Sequence, residues 1–140
     1  MDFKKLFIGG IVGGILYFGL SYLIYGKLMM TFFANHPGEV SVERAEADLQ
    51  FLYLGLGSLL QGFFLAYIFV RANVSSAMSG FITGGVVALL MSAAMNCIAY
   101  GHTRMVSKTG MAADVVIATV MTAVIGAIVA MVMGMGKKAA

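Results

Sequence analysis

Residues 112–134 read AADVVIATVMTAVIGAIVAMVMG, an apolar run whose single charge is Asp114. A helix needs about 20 such residues to cross a hydrocarbon core of about 30 Å, and this run supplies them. Three further runs have the same character, from Leu6 to Tyr25, from Phe51 to Val70 and from Gly80 to Tyr100, each bounded by polar or charged residues. Backbone groups in lipid must bond within their own segment unless a closed barrel pairs them. The short alternating strands of a barrel are absent, so the runs predict helices. The expected fold is all-α: an integral membrane four-helix bundle of antiparallel up-down topology. It forms one domain over 1–140, with spans at about 6–25, 51–70, 80–100 and 112–134 and an extramembrane connection at 26–50.

Composition agrees with this reading and excludes others. The chain is 61% hydrophobic and 11% charged, more apolar surface than a soluble domain of 140 residues can hide. The formal charge of +3 does not signal nucleic acid, because the nine Lys and Arg are scattered or flank apolar runs and no aromatic platform interleaves them. The single Cys97 excludes an intramolecular disulfide and a cysteine-based metal motif, and its apolar segment predicts a buried, inert thiol. Lys4 and Lys5 before an apolar stretch resemble the start of a signal peptide. The stretch runs too long and lacks a small-residue cleavage site, so a retained first span is expected.

The connection from Gly26 to Gln50 carries the one proline, in Asn35-His36-Pro37-Gly38, where the chain turns. From Ser41 to Asp48 the order of a capping residue, helix formers and early acids predicts that the second helix begins near Val42 and stands out of the membrane. The other two connections, around Asn73 to Ser79 and Gly101 to Met111, are short, so consecutive helices are expected to be antiparallel neighbours. With the N-terminus inside, Lys4, Lys5, Arg71, Lys137 and Lys138 fall inside, against Lys27, Arg44, Arg104 and Lys108 outside. The acids Glu39, Glu43, Glu46 and Asp48 gather in the first connection. The slight basic excess inside favours cytoplasmic termini.

Small residues recur every four positions. Ala118, Thr122, Gly126, Ala130 and Gly134 form one stripe, and Gly80, Gly84, Ala88 and Ser92 form another that continues to Asn96 and Tyr100. Close approach along such faces holds helices together in lipid. The helix-packing residues expected on this basis are Gly9, Gly10, Gly13, Gly14, Gly84, Ala88, Gly126 and Ala130. The doubled pairs of the first helix are the candidates for a seam between subunits. The neutral residues Ser21, Tyr22, Ser58, Gln61, Ser92, Asn96, Thr119 and Thr122 lie at similar depths on four helices. They imply interhelical hydrogen bonding or a small polar cavity opening outward.

Chemistry is harder to find. The glycine doublets lie inside apolar runs with no Lys-Ser or Lys-Thr after them, which excludes a phosphate loop, and Asn73-Val74-Ser75 falls on the inner side, where glycosylation does not occur. His36, His102 and Asp114 are a ligand set of plausible chemistry without a supporting spacing. Asp114 is expected instead to favour the N-terminus of the fourth helix and to pair with Arg104. Met131, Met133 and Met135 spread around a helix rather than gathering for copper. No ionisable residue falls near the middle of a span, which counts against proton-coupled export. No catalytic, cofactor or metal residues are assigned.

The strings Gly13-Gly14-Ile15-Leu16-Tyr17-Phe18, Tyr25-Gly26-Lys27-Leu28-Met29-Met30, Ser79-Gly80-Phe81-Ile82 and Asn96-Cys97-Ile98-Ala99-Tyr100 resemble small bacterial four-span proteins of the domain of unknown function 1761 family. Members often carry Trp in the first span, where this chain has Tyr17. The resemblance covers nearly the whole chain and implies a bacterial inner-membrane location, with no catalytic residues to carry over. Three functions compete on this reading. The first is a non-enzymatic bundle acting as a self-associating or accessory subunit of a larger membrane complex. The second is a small channel or facilitator with a neutral polar cavity in the outer half of the membrane, and the third an enzyme at the lipid surface. The partners expected are the lipid bilayer and a second copy or a larger complex, with no nucleic acid and no cofactor.

Overall fold

The computed structural model describes residues 1–40 and 42–135, and within them every regular element is helical. Helix α1 spans Phe3–Leu23, opened by Asp2, whose carboxylate accepts the Lys5 backbone N–H at 3.1 Å. It runs on through a π-helical turn, Ile24–Leu28, and a short α2, Met30–Asn35, follows. Helix α3 spans Phe51–Arg71, α4 Ala77–His102 and α5 Lys108–Gly134. Four stretches are long and apolar enough to cross a membrane: Phe3–Leu28, Phe51–Arg71, Ala77–His102 and Lys108–Gly134.

Caps set where the later helices begin. Ser76 and Ser79 form a reciprocal capping box at the head of α4. Ser107 caps α5, its hydroxyl accepting the Gly110 N–H at 3.1 Å while donating to the His36 carbonyl at 2.7 Å. Helix α5 therefore starts at Lys108, a full turn before Ala112. Between α3 and α4 the chain reverses through Asn73, the one non-glycine residue at positive φ (54°) among those described. The Val74 N–H reaches the Phe69 carbonyl at 2.9 Å and the Asn73 N–H that of Val70 at 3.4 Å, a Schellman closure with Val74 tucked into the core. Replacing Asn73 by Gly is expected to keep or slightly raise the melting temperature in detergent. Val at the same φ should cost about 1–2 kcal/mol, because its Cβ clashes in the left-handed region.

Packing follows the glycines. Gly9, Gly10, Gly13 and Gly14 of α1 face, in that order, Ala66, Phe63, Gly62 and Leu59 of α3. Gly9 and Gly13 also meet Met133 and Val129 of α5. Gly80 of α4 abuts Gly126 and Ala130 of α5, and Gly84 abuts Thr122. The core between these helices consists of Leu65, Ala66, Phe69, Ile125, Val129 and Ala130, each no more than 1% exposed.

Several expectations are corrected here. The α1 glycines are covered by α3 and α5 of the same chain, so they leave no seam for a second copy. Helices α3 and α4 are consecutive but scarcely touch. The glycine face of α1 holds α3, and α4 lies along α5. The second long helix starts at Phe51, not near Val42; only a single 3-10 turn, Glu46–Asp48, interrupts the extended chain before it, and the proposed cap Ser41 lies outside the described residues. Helix formers are a weak prior, and a helix projecting without a packing partner does not repay its nucleation. Cys97 is exposed rather than buried, on a face of α4 turned from α5. Lys137 and Lys138, used in the topology argument, lie outside the described residues.

Candidate functional site

At the end of the bundle where α1 runs out and α5 begins, the π-helical turn, α2, the first connection and the last connection line a half-open chamber of about 890 Å³. Two strands of irregular chain are tied together at its rim. The Glu39 N–H donates to the Arg104 carbonyl at 2.7 Å, and Arg104 pairs with Glu39 at 3.4 Å. Gly38 lies so close to the Arg104 and Met105 backbones that any side chain there would strike them. Lys27 pairs with Glu46 at 3.2 Å and anchors the far side of the connection.

The inner wall carries the polar centre. Tyr25 Oη donates to Asp114 Oδ1 at 2.7 Å, and Asn96 Nδ2 donates to Asp114 Oδ2 at 2.6 Å and to the Ser92 carbonyl at 2.9 Å. Three elements thus meet at one carboxylate: the π-helical turn brings Tyr25, α4 brings Asn96 and α5 brings Asp114. One extra residue per turn rotates the side chains after it relative to a continuing α-helix, and such turns recur at functional sites. The Tyr25 ring is stacked on Phe33 of α2, with centroids 5.8 Å apart and 23° between planes, which fixes its direction.

Because α5 begins at Lys108, Asp114 stands about 9 Å along the helix and about 10 Å from its midpoint near Met121. Asp114 is therefore neither a terminal dipole group nor the partner of Arg104; Tyr25 and Asn96 take those places. His36 lines the same chamber, with its ring stacked on Phe32 at 4.4 Å and Nδ1 against the Phe32 carbonyl at 2.9 Å, whereas His102 is exposed at the end of α4. No group of three metal-ligating side chains occurs among the described residues.

Of the eight neutral residues singled out in the sequence, Asn96 alone lines the chamber. Its interhelical partner is the carboxylate of Asp114 rather than another of the eight. Thr122 is buried deeper, where the Tyr17 hydroxyl donates to it at 3.2 Å; Ser21 points at Met121 Sδ at 3.8 Å, and Thr119 and Ser58 donate back to the Val115 and Leu54 carbonyls. Tyr22 is exposed with Lys27 over its ring at 5.5 Å, and Gln61 is exposed. Ser92 Oγ is enclosed without a hydrogen-bond partner among the described residues. Removing it in Ser92→Ala is expected to leave stability unchanged or raise it by up to about 1 kcal/mol in thermal unfolding, because an unpaired polar atom leaves the interior.

Sequence reasoning missed Tyr25 and underrated Asp114. The available signal was Ser107-Lys108, a helix cap that puts Asp114 two turns inside the apolar helix rather than at its mouth. Compared with protein-family models, curated proteins and solved structures, the chain matches none.

Proposed function

We propose that this chain crosses a bilayer four times in antiparallel up-down order and acts as a facilitator that receives a small solute in an outward-opening chamber. The observation that carries the reading is the Asp114 carboxylate, about 9 Å along α5 from its start, held by Tyr25 and Asn96, and facing a chamber of about 890 Å³. Intramembrane ionisable groups are rare and mark solute or ion paths. A chamber of this size suits a small organic molecule.

Several features support membrane insertion. The outward faces carry Phe7, Ile11 and Ile15 on α1, Leu52, Leu56 and Leu60 on α3, and Ile82, Leu90 and Ile98 on α4, an apolar girdle that water does not tolerate. Contacts such as Gly9 with Ala66 and Gly14 with Leu59, or Gly80 with Gly126 and Gly84 with Thr122, descend one helix as they ascend the other, which supports antiparallel order. Lys5 and Arg71 line a cleft at the end opposite the chamber, in keeping with termini on the cytoplasmic side. The resemblance to the four-span family of unknown function adds the bacterial inner membrane as the location. The cavity differs from the neutral one expected, since a carboxylate is its centre. Below it Tyr17, Met121 and Ile125 are packed shut, which favours a carrier that alternates over an open channel.

Two experiments test this. In a Cys97→Ser background, an impermeant maleimide should label Arg71→Cys from the cytoplasmic side and Glu43→Cys from the opposite side; labelling of both from one side would overturn the four-span order. Proteoliposomes in iso-osmotic small amines, amides and polyols should swell faster than protein-free vesicles for at least one class. Filling the chamber with Ala34→Trp should abolish the gain. Swelling no faster than lipid alone for all three classes would remove the facilitator reading and leave the accessory-subunit one.

A further inference from the structure

We infer that the chamber selects a small organic cation, a protonated amine carried on an apolar body; this rests on reading the chamber as a solute site. Its lining contains the carboxylates Asp114 and Glu43 and no Lys or Arg. Of the cations on the surrounding chain, Lys27 is held by Glu46 at 3.2 Å and Arg104 by Glu39 at 3.4 Å, while Arg44 and Lys108 lie outside the lining. An anion entering would face two like charges, and the one basic side chain in the lining, His36, has its Nδ1 turned to the Phe32 carbonyl.

The hydrogen-bonding inventory points the same way. The Tyr25 hydroxyl and one Asn96 N–H, the donors at the inner wall, are spent on Asp114. Each Asp114 oxygen accepts one bond and keeps a further lone pair, so what the wall offers a guest is acceptors. An ammonium group is donor-only and complements that surface. A bare metal ion is a poorer match, because no three His, Cys, Asp or Glu side chains come close enough to hold one among the described residues.

The remaining wall specifies the body of the guest. The stacked Tyr25 and Phe33 rings present aromatic surface beside the carboxylate, which favours a cation through their quadrupoles. Met30, Val40 and Val106 add apolar lining on the chamber's open side, which favours a guest with a hydrocarbon body. Charge at the inner wall and hydrocarbon around it describe an amphiphilic amine.

The test uses the full chain in phosphatidylcholine nanodiscs and equilibrium dialysis against protein-free discs. Three probes of matched shape serve: 2-phenylethylammonium, neutral 3-phenyl-1-propanol and anionic 3-phenylpropionate. The cation should bind about tenfold more tightly than either counterpart, a difference of about 1.4 kcal/mol. Asp114→Asn should erase that preference while Asp114→Glu retains it, both variants being checked for an unchanged gel-filtration profile and melting curve. Because the three-probe comparison on the wild-type chain needs no variant, misfolding of Asp114→Asn would not shield the inference. Equal binding of cation and neutral probe, or of cation and anion, would overturn the cation assignment while leaving a solute chamber. No binding of any probe would overturn it too. Cation binding without vesicle swelling would uphold the assignment and remove only the facilitator reading.

Discussion

Gly126→Leu is expected to separate α4 from α5 and to lower thermal stability in detergent by about 3 kcal/mol, the upper part of the range for overpacking. A Cβ at Gly126 would fall on the carbonyl of Gly80 and within 3.2 Å of Phe69 Cζ. The first obstacle is backbone of a facing helix, which cannot rotate away as a side chain can. The second is a ring that is itself fully buried between the two helix pairs. Relief therefore requires moving α4 bodily, which exposes Ala88 and Ala130 and loses the short contacts that stand in for a hydrophobic drive between helices in lipid. The control is Gly57→Leu on α3, where a side chain would meet nothing within 4 Å. That variant should melt at or slightly above the parent temperature, because glycine costs a helix about 0.5–1 kcal/mol relative to a residue with a Cβ. Equal melting of the two variants would show that α4 and α5 do not meet along Gly80 and Gly126.

Asn96→Leu is expected to cost about 1–3 kcal/mol, while Asn96→Leu combined with Asp114→Leu should cost less than the sum of the two single changes. The single change leaves Asp114 Oδ2 without its 2.6 Å donor and the Ser92 carbonyl without its 2.9 Å one. Asp114→Leu alone strands the Tyr25 hydroxyl and the Asn96 amide together. In the double variant α4 and α5 meet through apolar groups, and the only polar group newly stranded on the chamber wall is the Tyr25 hydroxyl. Unfolding midpoints of the four proteins in one detergent close the cycle. A coupling below about 0.5 kcal/mol would mean that the Asn96–Asp114 bond does not hold the helices together. The same singles should also lose the chamber's preference among charged probes, since Asn96 orients the carboxylate that reads them.

The four long helices were legible because length and apolarity are local quantities: Phe51 to Val70 is long enough wherever it packs. The stripes were legible in the same way, since Gly80, Gly84 and Ala88 share a face by the period of the helix alone. Which stripe meets which was not. Gly9 and Gly13 look equally suited to α3, to α5 or to another copy, and in lipid no gradient of hydrophobicity distinguishes them. The choice fell to backbone shapes that fit only at Gly62, Met133 and Val129. Cys97 and Gln61 show the same limit, because an apolar run does not state which side faces a neighbour.

The carboxylate centre lay furthest from a linear reading. Tyr25 and Asp114 are 89 residues apart, and their bond depends on a π-helical turn, a cap at Ser107 and a ring stacked on Phe33. The cap and the stack are local, but nothing local brings the Tyr25 hydroxyl, Asn96 and Asp114 to one point. Composition and period alone determined that four apolar helices form. Only the tertiary structure decided that α1 joins α3 to α5 and that Asp114 stands at the inner wall of a chamber. The reason is that helix formation sums over neighbours in the chain, while helix pairing and side-chain convergence depend on which of several equally apolar faces fit.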